Sequence, residues 1–120
     1  MNFQKILNRA ANLINLPQSK FRHFTFIMKR NRVISYGFNL NWKTHPLAQN
    51  RYRSLHSEIM ALTQFPHRNE DYFKCQLVNV RLNSNLELRL SKPCGYCQSL
   101  LAAYGFRDIW YTTNSGFNKL

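Results

Sequence analysis

The chain is short of acid: 5 Asp and Glu stand against 17 Lys and Arg among 120 residues, a formal net charge of +12 at pH 7. Such a balance points away from cationic ligands and draws in anions such as nucleotides or nucleic acid. Glycine and proline number only four each, with no Pro/Gly/Ser-rich block and no repeating unit, which excludes a linker and a solenoid. No apolar run is long enough to span a bilayer, and Lys5 and Arg9 break the apolar start that a signal peptide would need. The expectation is therefore a soluble, cytoplasmic protein with no membrane partner. Cysteine is scarce too: Cys75, Cys94 and Cys97 cannot all pair within the chain. Closely spaced thiols in a reducing compartment serve metals or redox chemistry more often than structural disulfides. What is plentiful is apolar material, 44% of the chain and spread along its whole length. That suffices for one core and scarcely for two, so residues 1–120 are expected to fold as one compact domain.

Phe3, Ile6, Leu7, Ala10, Leu13 and Ile14 recur at spacings of three and four, predicting a helix over about 2–15 that ends before Pro17. The β-branched and aromatic runs at 23–29 and 33–40, separated by Arg30-Asn31-Arg32, predict an antiparallel hairpin. Residues 41–55 are polar and basic without period and read as a loop. Ile59, Met60, Leu62 and Phe65 have helical spacing, predicting a second helix over about 56–65 that stops before Pro66. Strands are expected over 74–82 and 106–113, with a short extended approach at 86–90. Between them Pro93 opens a helix through about 94–104 that Gly105 caps. This order implies an α/β fold, a sheet of about four to five strands with helices on its faces and with parallel, right-handed later crossovers.

Two short motifs carry chemistry: His56-Ser57-Glu58 at one predicted helix start and Pro93-Cys94-Gly95-Tyr96-Cys97 at another. With this composition an HxE triplet arises by chance in roughly one chain in five or six, and PCxxC in roughly one in several hundred. The cysteine motif therefore carries most of the weight. Cysteines three apart at a helix start share a face, and the helix N-terminus favours the thiolate that zinc needs. With His56 they supply three ligands and leave a fourth position open, the pattern of a catalytic zinc. Glu58 is turned about 200° from His56 on an ideal helix, free for proton transfer. Zinc brings the pKa of bound water towards neutrality, and a carboxylate nearby can take that proton and deliver it to departing ammonia. The chemistry described is hydrolytic deamination of a base.

From about Phe24 to Thr113 the sequence resembles the cytidine deaminase-like superfamily, which includes cytidine and deoxycytidylate deaminases, tRNA adenosine deaminases and polynucleotide cytosine deaminases. The likeness lies in the hairpin, the His-Ser-Glu-Ile-Met-Ala-Leu helix, the strand after it and the Ser-Lys-Pro-Cys-Gly-Tyr-Cys helix and strand. It implies a three-layer α/β/α fold, zinc on His56, Cys94 and Cys97, Glu58 as proton shuttle, and backbone groups around Ser57 and Lys92 on the base edge. It further implies that Asn39, in Gly37-Phe38-Asn39, contacts the sugar or base. Relatives commonly assemble, and so small a domain would gain from burying extra surface in a homo-oligomer. Many also continue beyond the last strand with elements that shape substrate choice, where this chain stops at Leu120.

The expected reaction is conversion of cytosine to uracil in a nucleotide or in single-stranded nucleic acid, with adenine in RNA or DNA as the alternative base. Lys43 and Arg53 are candidate phosphate contacts; Trp42, His45, Tyr96, Trp110 and Tyr111 are candidate stacking walls. Two other readings use the same residues. A fourth ligand from Cys75, His23, His45 or His67 would make the zinc structural and the protein a non-catalytic nucleic-acid-binding module. Cys94 and Cys97 could instead form a redox pair, which leaves the HxE triplet unused.

Overall fold

The computed structural model describes residues 2–14, 23–39, 57–64, 72–83 and 85–120. Strands β1 (His23–Lys29) and β2 (Arg32–Phe38) form the expected hairpin, closed by a two-residue turn at Arg30 and Asn31. Both turn residues have positive φ, 52° and 61°, which matches the twist of a tight hairpin at some cost to a residue with a Cβ. Strand β3 (Gln76–Leu82) lies antiparallel to β1 and parallel to β5 (Asp108–Thr113). The two-residue strand β4 (Leu88–Arg89) pairs with β3, and β6 (Gly116–Lys119) turns back on β5. The sheet thus has the order β2-β1-β3-β5-β6, with β4 off that path.

Among the described residues six strands stand where four to five were expected. The extended approach at 86–90 contributes β4, and the last strand is followed by a hairpin that the sequence reading left out. Strand β6 contains a single large apolar residue, Phe117, too little for alternation to register. Strands expected at 74–82 and 106–113 start two residues later, because Tyr72–Lys74 winds into a 3-10 turn and Phe106 packs into the core before β5 begins.

Alternation along β1 and β3 sorts the core into two sides. Helix α1 (Phe3–Ile14) lays Ile6 and Ala10 on Phe24, Phe26, Met28, Val78, Val80 and Leu82. Phe3 also stacks on Phe117 at 4.2 Å between ring centroids, so α1 covers β6 as well. Ile27, Leu77 and Ile109 face the other way and meet Ala61 and Leu62 of α2 (Ser57–Gln64) and Leu101 of α3 (Gly95–Tyr104). The result is an α/β/α sandwich. Helix α2 is buried at six successive residues from Ser57 to Leu62, as expected of a helix enclosed on all sides.

Gly37 decides how closely α2 approaches β2. A Cβ there would collide with the Ser57 carbonyl oxygen and sit 2.5 Å from Ala61 N and 2.8 Å from Met60 Cβ. Glycine inside a strand marks such a close backbone approach. Among the described residues no helix is long and apolar enough to cross a membrane.

Candidate active site

Helix α3 begins one residue later than the sequence suggested. Cys94, with extended backbone (φ −66°, ψ 165°), is its N-cap, and Pro93 stands outside the helix. The reason is that the Cys94 Sγ takes over a helix-starting role: it accepts the Cys97 N–H at 3.4 Å. Cys94 and Cys97 are therefore N-cap and third helical residue, a spacing that brings a cap side chain back over the first turn. The other end of α3 has the expected cap: Gly105, at φ 98°, donates its N–H to Leu101 and Ala102 carbonyls.

Glu58 lies in the first turn of α2, 2% exposed, and Cys97 is fully buried. The two meet. Burial pushes the Cys97 thiol up, and the Glu58 carboxylate and Cys94 beside it add to that. Two cysteines and a carboxylate at neighbouring helix starts are donors whose chemistry suits a soft divalent cation such as zinc once the thiols ionise. Among the described residues no three His, Cys, Asp or Glu side chains are grouped as a metal site. His56, the third predicted ligand, directly precedes Ser57 and lies outside the described residues, as do Lys43 and Arg53 with Trp42 and His45.

Asn39 follows β2 and accepts the Ser57 N–H on its Oδ1 at 2.7 Å, so it closes the start of α2 from outside the helix. Its own N–H reaches the His23 carbonyl at 3.4 Å. Lys92 is exposed beside buried Pro93 and Ser91. Of the candidate stacking walls, Tyr96 packs beside Ile59 and Met60 on the site's face. Trp110 packs edge-on to Phe3 at 5.3 Å, on the α1 side of the sheet. Cys75 is fully buried against Ile27, Leu77 and Leu101, one residue before β3 begins. Four strand residues, about 13 Å, separate it from Asn79.

Sequence reasoning missed the polar row beneath the site. Ser57 Oγ donates to Glu58 Oε1 at 2.9 Å and touches Thr25 Oγ1 at 2.7 Å. Thr25 donates to Asn79 Oδ1 at 2.6 Å, across the directly paired positions of β1 and β3. Asn79 Nδ2 donates to the Ser91 carbonyl at 3.1 Å, which fixes which way the amide faces. Ser91 Oγ then donates to the Asn79 carbonyl at 2.9 Å and meets Thr112 Oγ1 at 2.8 Å. Every member from Thr25 to Thr112 is buried. The row ties Glu58 on α2 to the segment that leads into Cys94, through two central strands. Its one visible signal was Asn79, an amide inside the apolar run of β3.

No known protein family matches the chain by sequence, and no curated protein does. Solved structures do match. Cytidine deaminase from Burkholderia pseudomallei aligns with a TM-score of 0.64 at 15% identity, over 100% of this chain and 92% of that one. Cytidine deaminase from Mycobacterium leprae aligns with a TM-score of 0.60 at 17% identity, over 99% and 93%. The apo dCMP deaminase of cyanophage S-TIM5 aligns with a TM-score of 0.56 at 18% identity, over 91% and 78%. The chain has the cytidine deaminase-like fold.

Proposed function

We propose that this chain is a zinc-dependent hydrolytic deaminase that converts cytosine to uracil in a nucleotide or in single-stranded nucleic acid, releasing ammonia. One observation carries the reading: a buried carboxylate, Glu58, at the start of α2 lies close enough to buried Cys97 at the start of α3 to help push its thiol up, so the two sequence motifs meet. The fold shared with cytidine and dCMP deaminases supports it.

His56, Cys94 and Cys97 would hold the zinc, which when bound activates water for attack on an amidine-like carbon. Glu58 carries the proton. The row beneath it suits that task by a count of hydrogens. With Glu58 ionised, Ser57 donates to Oε1 and Thr25 to Asn79, so two hydroxyl hydrogens serve three contacts. A proton on Oε1 lets the Ser57 hydroxyl turn to Thr25, and all three contacts then have a hydrogen. Glu58 can thus gain and lose a proton at the cost of one hydroxyl rotation, as a shuttle must do in each turnover. Asn39 and Ser57 hold the entrance of α2; with Lys92 they are assigned to the base edge and sugar, and Lys43 and Arg53 to phosphate.

The test is mass spectrometry of products after incubating the zinc-loaded protein with cytidine, deoxycytidylate, adenosine nucleotides and single-stranded DNA and RNA. A gain of about one mass unit per base, absent with Glu58→Ala, is expected. Zinc-loaded protein inactive on the whole panel would overturn the reading.

A further inference from the structure

The sheet has two ends with different characters. Asn39, Ser57 and the segment leading into Cys94 gather at the end where β3 finishes. The other end carries a line of cations, contributed in turn by every strand of the path. Arg32 opens β2, Lys29 closes β1 with Arg30 in the turn, Lys74 precedes β3, Arg107 precedes β5 and Lys119 closes β6. Arg30, Arg32, Lys74 and Arg107 are exposed. Five strands at about 4.8 Å spacing spread these charges over about 19 Å, several times the ~3.4 Å axial step between phosphates of a stacked strand.

Among the described residues acid is nearly missing there. Of the chain's five carboxylates, Glu58 is buried, Glu87 stands beyond the opposite end of β3, and Glu70 and Asp71 lie outside the described residues. Among the described residues Asp108 alone is in the line, 3.7 Å from Lys119 and accepting the Trp110 Nε1–H at 2.7 Å. Two cavities flank the hairpin turn and share Arg30. One, of about 440 Å³, is lined by Lys29, Arg30, Arg32 and Ile34; the other, of about 400 Å³, includes Arg30, Lys74 and Trp110. One exposed aromatic ring accompanies the charge: Phe73 is 50% exposed, with the Arg107 guanidinium 4.4 Å from its ring centroid. Arg30 also holds a positive φ that asparagine or glycine would adopt at less cost, so the fold does not gain from arginine at that position.

We infer that this basic rim, at the end of the sheet remote from Cys94 and Glu58, binds the backbone of single-stranded nucleic acid. Cations in a row neutralise phosphates, and exposed aromatic faces accept bases, which only an unpaired strand offers. The inference stands apart from the deaminase reading; where both apply, the substrate is a polymer held at two places.

The full chain is titrated by fluorescence anisotropy with a labelled single-stranded oligonucleotide, and separately with its duplex, between 50 and 200 mM salt. Combined Arg30→Ala, Arg32→Ala and Lys74→Ala substitution is expected to lower the slope of log affinity against log salt by about 2, since each lost phosphate contact removes about 0.7 on a single strand. Phe73→Ala is expected to weaken binding at every salt and leave the slope in place. Arg30→Gly separates binding from folding: Tm rises while affinity falls. An unchanged slope in the triple variant, or a duplex bound as tightly as the single strand, overturns the inference. Rim-dependent binding without Glu58-dependent deamination would sink the deaminase reading alone; an unchanged slope beside Glu58-dependent deamination would sink the rim alone.

Discussion

Asn79→Leu tests the polar row most sharply. Leucine is close to asparagine in size, so the substitution removes hydrogen bonds and opens little cavity. Thr25 loses its acceptor at 2.6 Å but can turn to Ser57 at 2.7 Å. The Ser91 carbonyl loses the Asn79 donor at 3.1 Å in a fully buried setting. One buried acceptor left without a donor costs about 1–3 kcal/mol. Thr25→Val orphans the other side of the same bond, Asn79 Oδ1, and should cost a similar ~1–3 kcal/mol. The double variant removes both partners, so its cost should fall short of the sum of the singles by about 0.5–3 kcal/mol. Urea unfolding reads this directly, as shifts of midpoint at unchanged slope. Turnover should fall through kcat with KM little changed, because the row tethers Glu58 and the approach to Cys94. Costs that add to within about 0.5 kcal/mol would refute the shared hydrogen bond.

Gly37→Ala should destabilise by about 1–3 kcal/mol and depress activity, since the new methyl meets backbone of α2; an unchanged unfolding midpoint would contradict the close approach. Cys94→Ser should lose zinc on dialysis while Cys75→Ser keeps about one zinc per chain by elemental analysis; the reverse would favour a structural site. The Glu87 carboxyl is held below its ordinary value, first by the Asn83 side chain and then by Arg89. Its folded-state value being depressed, it contributes stability above the unfolded value that is lost as pH falls through the folded one. In an NMR titration Asn83→Ala should move its midpoint upward; an unmoved midpoint would remove Asn83 as the cause.

Much of the fold was legible because local chemistry decides it. The α1 stripe, the hairpin runs around Arg30-Asn31 and the Gly105 cap each act within a few residues, where spacing and backbone preference suffice. The cysteine pair was legible for the same reason, since a cap and its third residue are neighbours by helix geometry. Strand β6 was not, because Phe117 matters only through its partner Phe3, 114 residues away in the chain and 4.2 Å away in space. Nor was the role of Pro93, which depended on whether Cys94 or proline began the helix.

The sequence by itself determined which side chains are available: two thiols, a histidine, a carboxylate and a surplus of cations. Only tertiary structure decided how they are arranged. It set Thr25 opposite Asn79, turned that amide through the Ser91 carbonyl, and let α2 press on Gly37 so that Glu58 reaches Cys97. It also collected Arg32, Lys74 and Arg107, scattered along the chain, at one end of one sheet. Strand order and register join residues that share no local pattern, and neither follows from composition or periodicity, because both depend on which surfaces bury one another.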